Sequence, residues 1–149
     1  MKKVSIIFLI LFMSTSLLAK DRIFIECIRG EGGIFPVSTY YKLDLEYQFP
    51  YLYIFHEYIP LELKITQTEN VEYDRENNIL SANEVEPPLF EHFYYKPFSI
   101  NLNNGEYKFR DRSSRREDRL KQPNKIDPHM KCYEISSSKF KKDLIFYLE

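Results

Sequence analysis

The stretch YKLDLEY, residues 41–47, places Tyr41, Leu43, Leu45 and Tyr47 in strict alternation with Lys42, Asp44 and Glu46. Successive side chains of an extended strand point to opposite faces, so a period of two collects the apolar groups on one side and the charges on the other. A helix would scatter the same residues around its circumference. RIFIEC (22–27) repeats the pattern, with Ile23, Ile25 and Cys27 against Arg22 and Glu26. LELKIT (61–66) repeats it again, with Leu61, Leu63 and Ile65 against Glu62, Lys64 and Thr66. One dry face and one wet face belong to antiparallel sheets, because parallel strands are covered on both sides and read as unbroken apolar runs.

Turn residues separate these runs. RGEGG (29–33) holds three of the four glycines, and Pro36 follows it. Glu76-Asn77-Asn78 lies between VEYDR and ILSANE as a hairpin loop. Asn104-Gly105 suits a type I′ turn, in which both central residues take positive φ; it would join 98–103 to 106–109. Pro50, Pro60, Pro87-Pro88 and Pro97 confine their neighbours to edges, bulges or loops. The tail SSSKFKKDLIFYLE (136–149) starts from a serine cap with Phe140, Leu144 and Leu148 on one helical face, and its end reads as strand. The chain is therefore predicted to be all-β and mainly antiparallel, with about seven to nine short strands. The expected architecture is a small meandering barrel or a sandwich, the barrel favoured, with a short C-terminal helix.

The first residues are an address. Lys2 and Lys3 precede an apolar run from Val4 to Met13, and small and polar residues then lead to Ala19. This is the layout of a secretory signal peptide of bacterial type, too short for a comfortable membrane span. Residues 1–19 are read as the signal peptide and 20–149 as a single exported β-domain, with cleavage after Ala19 or after Ser16. No second apolar run is long enough to cross a membrane. The expected destination is the periplasm or the exterior, where thiols oxidise, so Cys27 and Cys132 are expected to pair. Neither belongs to a C-x-x-C motif of a redox enzyme.

Catalytic signatures are missing: no G-x-S-x-G, no H-E-x-x-H and no phosphate-cradling glycine loop. His56, His92 and His129 are far apart, whereas metal sites usually show close pairs. No cofactor or metal is expected, and the chain leans away from being an enzyme.

Two features suggest binding. EYQFPYLYIFHEY (46–58) and LFEHFYYKPF (89–98) concentrate the aromatic residues of a chain without tryptophan. Aromatic rings first supply core volume. The hydroxyl of tyrosine also lets it sit half exposed, which makes Tyr51, Tyr53, Tyr58, Tyr94 and Tyr95 candidates for an aromatic surface. The second feature is RDRSSRREDRL (110–120), five arginines in eleven residues. From Lys108 to Lys125 the formal charge is +5, against −8 for the rest of the chain after residue 19. A charge run of this kind is ordinarily a solvated loop balancing an acidic body. Its functional alternative is an anion-binding arm made of Arg110, Arg112, Arg115, Arg116, Arg119 and Lys121, since the guanidinium fork matches phosphate and carboxylate. Partners of such an arm would be anionic lipid, acidic glycan or acidic protein; nucleic acid is the weakest option for an exported chain.

Three functions are carried forward. The first is a non-enzymatic exported β-protein that binds an envelope or extracellular ligand through the arginine loop, the aromatic surface or both. The second is an inhibitor or immunity-like protein that covers a site on another protein. The third is a small hydrolase without a recognisable motif.

Overall fold

The computed structural model describes residues 21–33, 36–58, 62–86, 94–111 and 122–145, with the side-chain surroundings of all of these except 56–58, 62–65 and 86. Residues 1–19, and with them the expected signal peptide, lie outside the described residues. Eight strands run in chain order: β1 (Arg22–Arg29), β2 (Val37–Asp44), β3 (Tyr51–Tyr58), β4 (Glu62–Asp74), β5 (Ile79–Glu86), β6 (Tyr94–Asn101), β7 (Glu106–Phe109) and β8 (Lys125–Ile135). One helix, α1 (Ser137–Leu144), follows. Each strand pairs antiparallel with the next, and β8 pairs back onto β1, so the sheet is a closed up-and-down barrel. Closure removes every free sheet edge.

Alternation decides what fills the barrel. Ile23, Ile25 and Cys27 of β1 face inward opposite Leu43, Tyr41 and Thr39 of β2. Leu52, Ile54, Leu80, Ala82, Ile100 and Tyr107 complete the interior around Phe98. The Phe98 ring lies 5.7 Å from both Tyr41 and Tyr107, stacked on the latter. At the seam Cys27 and Cys132 are direct cross-strand partners, joined by a disulfide with both sulfurs buried in this core. The bond ties the first strand to the last across 105 residues of sequence.

An up-and-down chain places alternate connections at opposite ends. Three turns close one end: 45–50, 75–78 and 102–105. Two of them are fastened together by asparagines. Asn78 donates its amide to Asn103 Oδ1 (3.2 Å), Asn103 donates to the Asn77 carbonyl (2.9 Å), and the Leu102 N–H donates to the Asn78 carbonyl (3.0 Å). The other four connections leave from the opposite end.

Several expectations are refined. The Asn104-Gly105 turn is not type I′, because only Gly105 has positive φ (72°). The loop has four residues, and the Gly105 N–H donates to the Asn101 carbonyl (2.8 Å). Asn101 and Asn104 each accept a backbone N–H two residues on, which favours this wider turn. The β4–β5 turn has the same plan, with Asn78 (φ 56°) where the other has Gly105. The YKLDLEY strand stops at Asp44, whose carboxylate accepts the Glu46 N–H (3.2 Å) and bends the chain. Thr66, expected on the wet face, is buried opposite Ile54 in the barrel interior.

The C-terminal segment starts as the expected helix. The Ser136 hydroxyl accepts the Lys139 N–H (3.1 Å), and Phe140 and Leu144 are buried. They cover the outside of the barrel at Phe24, Tyr40, Phe55 and Ile135. Residues 146–149, where a final strand was expected, lie outside the described residues.

Candidate functional site

Strand β3 turns Leu52 and Ile54 into the barrel, so Tyr51, Tyr53 and Phe55 point outward. Phe55 is covered by α1, its ring 5.7 Å from Phe140. Tyr51 and Tyr53 are 54% and 41% exposed, and the bend before β3 adds Tyr47 at 60% and Phe49 at 72%. The Tyr47 and Tyr51 rings meet edge to face at 5.5 Å. Lys42, on the neighbouring strand, holds its ammonium 5.2 Å from the Tyr53 ring centre. Polar groups border the strip: Arg22 pairs with Asp44 (3.2 Å) and with Glu46 (2.8 Å). Single exposed aromatics need no explanation on a protein surface; four consecutive odd-numbered ones, two of them in edge-to-face contact, do.

Of the candidate aromatic residues, the structure brings Tyr51 and Tyr53 together. Tyr94 and Tyr95 are half-buried at the start of β6, and the side chain of Tyr58 lies outside the described set. Tyr47 and Phe49 were missing from that set. Their sequence signal was the run of aromatic residues at 47, 49, 51 and 53; the structure places the first two in the bend and the last two on the outer face of β3.

Arg112, Arg115, Arg116, Arg119 and Lys121 lie outside the described residues. Arg110 directly follows β7, donating Nε and Nη2 to the Gln122 carbonyl (3.0 and 2.8 Å) and its backbone N–H to the Pro97 carbonyl (2.9 Å). Lys125 pairs with Asp111 beside it. The described ends of the basic segment are thus strapped to each other and to β6.

Among the described residues, buried polar side chains gather inside the barrel and beneath α1. Inside the barrel, the hydroxyls of Tyr41 and Tyr107 are hydrogen-bonded near the Glu84 carboxylate. Burial pushes both phenols well above their ordinary value, and Glu84 adds to this, so both keep their protons at neutral pH. Arg29 pairs with buried Asp127 (2.6 Å). Outside the barrel, Glu26 is buried beneath α1. It accepts from Ser38 (3.1 Å), Tyr40 (3.3 Å) and Lys139 (2.5 Å), and Lys139 also reaches Asp143 (2.6 Å). Partial burial opposes the Lys139 charge, but Asp143 and Glu26 more than offset it and raise its pKa. This knot is structural, fixing α1 over β1 and β2.

Among the described residues no cluster of three or more His, Cys, Asp or Glu side chains could hold a metal ion. No helix among them is long and apolar enough to cross a membrane. Comparison of the chain with protein-family models, curated proteins and solved structures gives no match.

Proposed function

We propose that the chain is an exported, non-enzymatic binding protein that meets an envelope or extracellular ligand with the outer aromatic face of the β2–β3 hairpin. The observation that supports this best is the exposure of Tyr51 and Tyr53 on the outer face of β3, and of Tyr47 and Phe49 in the bend that leads into it, on a barrel whose interior is already filled. Leaving four rings in water costs hydrophobic free energy, roughly 25 cal/mol per Å² of apolar surface, that a bound partner would recover. The rings sit on a rigid strand and a short bend, so little ordering cost opposes binding. Export is supported by the composition of residues 1–19 and by a disulfide that suits an oxidising compartment, which puts the proposed site of action in the periplasm or outside the cell.

A second reading, an inhibitor or immunity-like protein that docks on another protein, draws support from the rim. Arg22, Asp44 and Glu46 flank the rings as charged groups flank the apolar centre of a protein interface. One experiment tests the face itself. Wild type and a variant carrying serine at positions 47, 49, 51 and 53 are sedimented with an isolated cell-envelope preparation. The wild type should pellet and the variant should stay in solution while its circular dichroism shows the barrel still folded. Equal sedimentation of the two would overturn the role of this face.

A further inference from the structure

One strand beyond the aromatic face, the barrel wall is interrupted. Between Glu69 and Glu72 the pairing of β4 with β5 shifts by one residue, because Asn70 and Val71 together oppose Ala82. Asn70 takes the left-handed conformation that the bulge demands (φ 50°), which asparagine tolerates better than most residues. Val71 keeps its contact with the core, so the extra residue is displaced outward.

The bulge forms one side of a hollow of about 220 Å³, lined by Asn70, Glu72, Ser81, Asn83, Pro97 and Gln122 among others. The opposite wall is built separately. The two hydrogen bonds from Arg110 to the Gln122 carbonyl hold Gln122 and Pro123 against β6. Asn83 lies on the outward register of β5, yet it is only 4% exposed. An outward polar residue on a barrel is ordinarily wet, and this one is roofed by its surroundings.

We infer that this hollow binds one neutral pyranose unit of an envelope glycan. The inference rests on the proposed ligand-binding role of the outer face and names the chemistry of that ligand. The exposed amides of Asn70 and Gln122 and the hydroxyl of Ser81 line the site beside buried Asn83, and each of these three can both donate and accept, as the neighbouring hydroxyls of a sugar require. The exposed Glu72 carboxylate can accept from two adjacent hydroxyls and disfavours an anionic ligand. The Pro97 ring offers an apolar edge to the C–H face of the sugar. The volume is below the roughly 300–1,000 Å³ of sites for drug-sized molecules, which limits occupancy to a single ring of a longer chain. Later rings could then lie on Tyr51 and Tyr53.

The test uses the full exported chain and two uncharged probes, the β-linked tetramers of glucose and of N-acetylglucosamine, followed by NMR. Side-chain amide signals of Asn70, Asn83 and Gln122 should shift on titration with at least one tetramer. Asn70→Gly retains a residue suited to positive φ and removes only the amide; Glu72→Gln removes only the charge. Each should weaken binding roughly five- to tenfold at unchanged melting temperature. Unmoved amides, or variants that bind as well as wild type, would overturn the site. If the hollow variants keep both tetramer and envelope binding while the four-serine variant loses both, the hollow is overturned and the aromatic face stands. If hollow amides shift equally in the four-serine variant, which also still sediments with envelope, the hollow stands and the aromatic reading falls.

Discussion

Replacing Gly105 with alanine should destabilise the barrel far more than the same change at Gly32. Both glycines have positive φ, 72° and 81°. An L-residue held in this region costs about 1–2 kcal/mol, and that cost applies at both sites. The two sites differ in space. A Cβ at Gly32 meets nothing within 4 Å, whereas one at Gly105 falls 2.7 Å from the carbonyl oxygen of Cys132. That oxygen cannot swing aside as a flexible side chain would. It belongs to β8, whose Cys132 N–H donates to the Gly105 carbonyl (3.0 Å) and whose sulfur is bonded to β1. Forcing a methyl group into such a contact costs about 1–3 kcal/mol of backbone displacement. Gly105→Ala should therefore lose about 2–5 kcal/mol and Gly32→Ala about 1–2 kcal/mol. Urea unfolding with the disulfide intact measures both. Equal losses at the two sites would refute the close approach of the β6–β7 turn to the seam. Asn104→Ala supplies a control within the turn: without a positive φ to support, it should cost only the bond to the Glu106 N–H, about 1 kcal/mol.

Reduction of Cys27–Cys132 releases a loop of 105 residues, so the chain-entropy argument predicts a loss of about 4–5 kcal/mol, read as a lower urea midpoint after reduction under denaturing conditions and refolding with reductant. Burial, helped by the Glu26 charge, raises the Tyr40 phenol from 10.0 to about 12, so between these values the folded chain holds a proton that the unfolded chain has lost. Stability should then be fully present below about pH 10 and fall as pH rises through 12, and Tyr40→Phe should flatten part of that fall; a urea midpoint level from pH 9 to 12 would contradict it. If the charge run is the solvated segment its composition predicts, changing Arg112, Arg115, Arg116 and Arg119 together to glutamine should leave the chain folded, since surface changes usually stay within about 0.5 kcal/mol each. If the arginines form an anion-binding arm, only the wild type should float with anionic vesicles at low salt, and it should lose them near physiological ionic strength.

What could be read from the chain alone was what neighbouring residues decide. Tyr41, Leu43 and Leu45 alternate with Lys42, Asp44 and Glu46, and alternation needs only the geometry of one strand. Asn77-Asn78 and Asn104-Gly105 mark turns because their own backbone preferences make them so, and Ser136 caps a helix within reach of its own side chain. Other features depended on partners distant in sequence. The interior phase at Thr66 follows from its pairing with Ile54, which no local pattern specifies. On β3 both faces are apolar, Tyr51, Tyr53 and Phe55 against Leu52 and Ile54. Alternation carries no contrast there, and only barrel closure decided that the aliphatic side chains go in and the tyrosines stay out. The hollow beside Asn70 exists because a bulge on β4, buried Asn83 on β5 and a strap held by Arg110 meet in space. None of the three carries a local signal for the others, since side chains separated by dozens of residues become neighbours only when the sheet has closed.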